Sequence, residues 1–192
     1  MKMKFLVPAV LVTLFFACTP STQLEKSWID PSLTPGSFQP FNKVLVVASM
    51  ADESSKRIAE DKIVAQLKSG TGVQAYTYLL PADTNDKALD IKLKKDGFDG
   101  IILMRLKSVD KSVSYVEGTG YGGWYGYRYS SPGYYSEDKT YLVETNIYSL
   151  ETNKLLWTGT TSSLNPGKLN QMLDAIIAVD KAELVKQGLI KN

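Results

Sequence analysis

The 192-residue sequence contains no histidine and a single cysteine. Without an imidazole there is no Ser-His-Asp or Cys-His catalytic apparatus, no His-containing zinc site and no histidine switch near neutral pH. One cysteine excludes an internal disulfide, a CxxC redox pair and an all-cysteine zinc site. An excess of one charge is missing too. The 22 basic and 20 acidic residues differ by two, and Lys2 and Lys4 of the first 17 residues account for the difference. Such a balance does not suit a surface that tracks a phosphate backbone, so no nucleic-acid partner is expected. Nor is any apolar run long enough to span a bilayer. Phe5 to Phe16, broken by Pro8 and Thr13, falls short of the roughly 20 residues a membrane helix needs. What is there is a chain of one-domain length, 44% hydrophobic, able to bury a single core.

The short apolar run after Lys2 and Lys4 reads as a secretory signal. It ends in Phe15-Phe16-Ala17-Cys18, which resembles the lipobox of bacterial lipoproteins, where a small residue precedes a cysteine that is thioether-linked to diacylglycerol and becomes the first mature residue. The alternative is an ordinary cleaved signal with an incidental cysteine. The resemblance implies a signal peptide over 1–17 and a membrane-lipid partner held through Cys18, whose several acyl chains, palmitate among them, make a stable anchor. No acidic residue follows until Glu25. By the sorting rules of such lipoproteins this implies the outer membrane, with the domain facing the periplasm.

Residues 18–40 carry Pro20, Pro31, Pro35 and Pro40, half of the eight prolines, and read as a lipidated tether. Within it lies Ser27-Trp28-Ile29-Asp30-Pro31; Trp28 is expected to fold back and plug an apolar edge of the domain, an exposed partner anchor being the alternative. A single domain over 41–192 follows. Lys43 to Ser49 (KVLVVAS) is a continuous β-branched run, as a strand buried on both faces requires. Ala59, Ile63 and Leu67 predict a helix over 54–69, and Val73 to Leu80 reads as a second strand. Asn85 and neighbouring turn residues open a helix over 86–95. Gly100 to Leu106 is a second central strand that continues as an amphipathic ribbon through Val109, Val113 and Tyr115.

Beyond residue 117 the pattern is antiparallel. Residues 137–150 alternate, Glu151-Thr152-Asn153 turns, and 154–162 returns as a hairpin partner. Asn165-Pro166 is expected to open a last helix carrying Leu169, Leu173, Ile176, Ile177 and Leu184 as one stripe. The expected fold is α/β with α+β character in the second half, a mixed five-stranded sheet in the order β-α-β-α-β-β-β-α, with helices packed on the sheet. The succession of lipobox, Trp-x-Asp-Pro tether, LVV strand and a Thr-Asn-Lys-Leu-Leu-Trp hairpin before a C-terminal helix resembles a family of bacterial envelope lipoproteins. Their α/β domain is similar to the N-terminal domain of the Tol-system translocation protein, to curli-secretion lipoproteins and to the lipoprotein activators of penicillin-binding proteins. The resemblance implies binding and assembly work rather than catalysis.

Residues 118–135, GTGYGGWYGYRYSSPGYY, hold six of the 14 glycines and six of the 11 tyrosines. A GxGxxG is spelled here, but a dinucleotide site needs a helix directly after the glycines, and an aromatic, Pro-Gly-terminated stretch follows instead. The segment reads as an irregular loop whose tyrosines pack on one another, or as a contact surface made by Tyr121, Trp124, Tyr125, Tyr127, Arg128 and Tyr129. A membrane-inserting hairpin fits less well, the run being polar and Gly-rich. The acidic clusters Asp52-Glu53, Asp83-x-Asn85-Asp86 and Glu137-Asp138 read as turn and cap residues. Glu144 is the one acid in mid-strand, and burial beside Arg105 or Lys107 would set it apart. No catalytic residue, metal or cofactor is expected. The expected function is a non-enzymatic, lipid-anchored protein whose periplasmic domain binds a protein partner in envelope assembly; the alternative is a module binding glycan, with peptidoglycan the polymer, through the aromatic loop.

Overall fold

The computed structural model describes residues 21–81, 83, 85–116, 120–122, 128–130 and 134–190. Among these, Thr22–Ile29 (β1), Lys43–Ser49 (β2), Thr71–Gln74 (β3), Gly100–Val116 (β4), Tyr134–Ser149 (β7) and Lys154–Leu164 (β8) form one mixed sheet in the order β1-β8-β7-β4-β2-β3. Gly120–Gly122 (β5) and Arg128–Ser130 (β6) pair separately. The helices are Glu53–Gln66 (α1), Ala75–Tyr78 (α2), Asp86–Lys95 (α3) and Leu169–Lys186 (α4). β2 runs parallel to both β3 and β4, and β4, β7, β8 and β1 are successively antiparallel.

The β-branched run of β2 has the expected cause. Val44, Val46 and Ala48 meet Ala59 and Ile63 of α1 and Leu173 and Ile176 of α4 on one face of the sheet. Leu45 meets Ala75, Leu93 and Phe98 on the other. A strand covered twice has no solvent side and therefore no polar alternation.

Five expectations are corrected. The main sheet has six strands instead of five, because Thr22–Ile29, assigned to the tether, is the edge strand β1, registered from Thr22 opposite Ser163 to Ile29 opposite Trp157. Flanking prolines hid a strand whose Ser27 turns to α4, where its hydroxyl donates to Glu183 Oε1 at 3.1 Å. Trp28, one residue on, points to the opposite face at 45% exposure and plugs nothing. The Trp-x-Asp-Pro motif ends the strand: Asp30 N–H donates to Leu156 O, and its carboxylate accepts from Ser32 N at 2.8 Å.

The strand expected over 73–80 covers only Thr71–Gln74 before the chain coils into α2. The fully buried Glu60 of α1 accepts from Ala48 N and from Tyr76 N, both at 3.0 Å, so a carboxylate takes up an N–H at the start of α2 that an isolated helix end leaves free. Finally, α4 starts at Leu169 rather than at Pro166. Asn165 takes a left-handed φ of 44° and ties the strand ends together, its N–H donating to Lys139 O and its side chain to Asp138. Glu137 and Asp138 accordingly lie within β7 and not at a turn, whereas Asp52 and Asn85 cap α1 and α3 as expected.

Trp157 locks α4 to the sheet. Its fully buried indole lies flat over Gly159, two residues along the same face of β8, and Nε1 donates to Gln187 Oε1 at 3.0 Å. Gln187 donates in turn to Ser27 Oγ at 3.0 Å, so one side chain joins β8, β1 and the end of α4. A Cβ at position 159 would sit inside the van der Waals envelope of the ring. Gly159→Ala is therefore expected to cost about 1–3 kcal/mol in urea unfolding through overpacking. Gly167→Ala, whose new methyl would lie 3.4 Å from a mobile Gln171 amide, should leave the midpoint nearly unchanged.

Candidate functional site

Of the residues expected to act, Cys18, Trp124, Tyr125 and Tyr127 lie outside the described residues. Tyr121 lies in β5 and Arg128 and Tyr129 in β6, with Tyr121 opposite Tyr129 and Gly122 opposite Arg128. Part of the Gly/Tyr segment is thus extended ribbon, and the backbone at Gly120–Gly122 is strand where a dinucleotide fingerprint would lead into a helix.

This ribbon sits beyond a longer one. β8 stops at Leu164 opposite Thr140, and β2 stops at Ser49 opposite Arg105. β4 and β7 run on alone, pairing Lys111 with Lys139 through to Val116 with Tyr134. The six pairs make an arm about 20 Å long. The alternation of the strands gives it two unlike faces. One carries Ser112, Ser114, Ser136 and Asp138. The other carries Val113, Tyr115 and Tyr135, exposed at 68%, 56% and 76%, with the Tyr115 and Tyr135 rings 5.0 Å apart. Glu137, 3.7 Å from both Lys111 and Lys139, offsets one of their two charges on this face. The apolar face continues the face that Val143 and Tyr141 present to the core under α4.

On the opposite face of the sheet, Glu144 is buried in the middle of β7. It accepts from Arg105 Nε at 2.8 Å, from Lys107 Nζ at 2.9 Å and from Asn146 Nδ2 at 3.1 Å. Lys107 is the unpaired residue of a bulge between Leu106 and Ser108, which lets it and Arg105 converge on one carboxylate. Burial opposes ionisation, and the donors from Lys107, Asn146 and Arg105 outweigh it, taking the carboxyl down to about 2. The arrangement is an ion cluster in which one carboxylate is shared by two cations, with Arg105 and Lys107 still partly exposed.

A second buried acid went unmarked in the sequence. Asp180 of α4 is 5% exposed and neither carboxyl oxygen has a partner among the described residues. Burial pushes it up to about 7; the neighbouring Thr145 hydroxyl pulls the other way but closes no hydrogen bond with it. The signal was present, because Asp180 stands four residues after Ile176 and four before Leu184, on the stripe that faces the core. Among the described residues no three histidine, cysteine, aspartate or glutamate side chains gather as a metal site. No described helix is long and apolar enough to cross a membrane.

The sequence matches no protein-family profile and no curated protein. Solved structures with a similar course include a PelC dodecamer from Paraburkholderia phytofirmans (12% identity, 88% of this chain and 99% of that one, TM-score 0.45). Lipoprotein GNA1162 from Neisseria meningitidis is another (12% identity, 75% and 98%, TM-score 0.42). A PDZ domain protein from Parabacteroides distasonis is a third (11% identity, 85% and 36%, TM-score 0.35). At these values the function has to be reasoned from the chain's own residues.

Glu144 and Asp180 make opposite pH signatures. The stabilisation held by Glu144 is fully present above about pH 4.5 and is lost as pH falls toward 2. The stability difference between the parent and Glu144→Gln should therefore shrink across that window. The penalty at Asp180 is absent below about pH 3.8 and grows as pH rises to about 7. Asp180→Asn should raise the melting temperature more at pH 8 than at pH 4. With no histidine titrating between, a parent-to-variant difference that stays flat over that range would refute the assignment.

Proposed function

We propose that this chain is a non-enzymatic envelope protein, anchored by lipid on Cys18 in the outer membrane with its domain facing the periplasm, and that the arm binds a protein partner in envelope assembly. The observation that carries this reading is the exposed apolar face of the arm, with Val113, Tyr115 and Tyr135 held out beyond the last strand that could cover them. Rigid aromatic side chains on a preformed ribbon suit a contact surface, since they bury large area with little loss of rotamer freedom. Lys111, Glu137 and Lys139 leave a single net positive charge on this face, so the apolar contact carries most of the selection of the partner. Tyr121, Trp124, Tyr125, Tyr127, Arg128 and Tyr129 would extend that surface past the end of β4.

The test is cross-linking in intact envelopes. Tyr115→Ser combined with Tyr135→Ser should abolish one specific protein cross-link while the melting temperature stays within a few degrees of the parent. Cross-links that survive the double substitution would sink the arm as the contact surface. Co-sedimentation with purified sacculi, lost on changing Trp124 and Tyr125 to Ala, would replace the protein partner by peptidoglycan. Cys18→Ser should move the protein from the membrane fraction to the soluble one.

A further inference from the structure

The two ends of the helix layer are filled differently. Toward the arm, Met172, Leu173 and Ile176 of α4 close against Val143 and the β2 side chains. Toward the other end α1 and α4 stand over a cavity of about 610 Å³. Met104, Ile147 and Trp157 of the sheet form its floor, and Ile63, Ile177 and Leu184 form its walls. Phe38 and Phe41, half-buried and stacked edge to face at 5.3 Å, border it on the connection from β1 to β2. That connection is pinned to the end of α4 by the Gly36 N–H, which donates to Gly188 O.

Two buried polar groups without partners among the described residues, the Asp180 carboxyl and the neighbouring Thr145 hydroxyl, border this apolar space. Buried polar groups in folded proteins are nearly always paired, and the ionised form of a carboxyl can only accept, so the partner that would hold Asp180 ionised is a donor. A water bridging Asp180 and Thr145 would serve those two groups but would leave the rest of the space, whose lining is mostly apolar, unfilled. The volume is that of an ordinary ligand site, about 300–1,000 Å³, and the lining has the usual make-up of apolar walls with few polar groups that fix orientation. Lys68 and Lys181 also border the cavity and form no ion pair among the described residues. Both are cations, so a carboxylate head would rest on them, whereas a donor head belongs at Asp180.

We infer that the cavity between α1, α4 and the sheet binds an aliphatic amphiphile whose head group, an ammonium or a hydroxyl, donates to Asp180 and Thr145 while its chain lies against Met104, Ile147 and Trp157. The site is independent of the arm and of whatever the arm holds.

Calorimetric titration of the purified protein with decylamine, 1-decanol and decanoate tests this. Saturable binding of decylamine or decanol, tighter than decanoate, is expected, and whichever of the two binds better identifies the head as ammonium or hydroxyl. Asp180→Asn should weaken decylamine at least tenfold and leave decanoate unchanged. Ile177→Trp, which fills the cavity, should abolish binding. Should that variant fold poorly, nuclear Overhauser contacts between the probe's methylenes and the Met104 methyl in the parent protein serve instead. Absence of saturable binding, equal affinity for all three heads, an unchanged decylamine affinity in Asp180→Asn, or contacts located elsewhere would each overturn the proposal.

Discussion

The structure hangs on the length of β4. Over Gly100–Arg105 it is hydrogen-bonded on both edges, to β2 in parallel and to β7 antiparallel, and this short stretch is the seam between the two halves of the sheet. One strand therefore reconciles a βαβ half, whose connections must cross over, with a meander half, whose connections can be tight. Past Arg105 its parallel neighbour has ended, the bulge at Lys107 breaks the register, and β4 proceeds with β7 alone. The same 17-residue strand that builds the core thus carries the arm away from it.

Two acids on opposite faces of the sheet show how little burial decides by itself. Glu144 and Asp180 are both nearly inaccessible, yet one is held ionised and the other is pushed toward its neutral form. The difference lies in the donors. Three side chains converge on Glu144 from its own strand and from its neighbour, where cross-strand geometry places them without effort. Asp180 projects from a helix onto aliphatic side chains, and the one hydroxyl near it closes no bond. Desolvation is common to both, and compensation is not.

Much of the fold was legible because periodicity was clean. The doubly buried β2, the amphipathic continuation through Val109, Val113 and Tyr115, the hairpin around Asn153 and the stripe of α4 all declare themselves by spacing. Even Glu144 was marked, with both of its cationic partners. The misses have a shared cause, namely that each was settled by a contact distant in sequence. β1 is a strand because β8 offers an edge, although the prolines that flank it argue for a linker. α2 replaces a strand because Glu60 captures the Tyr76 N–H. Asn165 does not cap because Lys139 and Asp138 engage it first. Asp180 was hidden in a charged segment that reads as a solvated face, DKAE, although its own position belongs to the stripe.

The register of β1 also fixes where an anchor on Cys18 would leave the domain. Thr22 pairs with Ser163, Ser163 with Tyr141 and Tyr141 with Val109, so the chain enters the sheet at the end from which the arm departs, and β1 then runs away from the arm. Four residue steps separate Cys18 from Thr22, a leash of at most about 14 Å. The arm is longer than the leash. A domain moored at Cys18 could not hang freely with its arm aimed away from the membrane; it would stand arm-down, or lie tilted, against the surface to which it is tied. Whatever meets Tyr115 and Tyr135 would then do so in the layer next to the membrane.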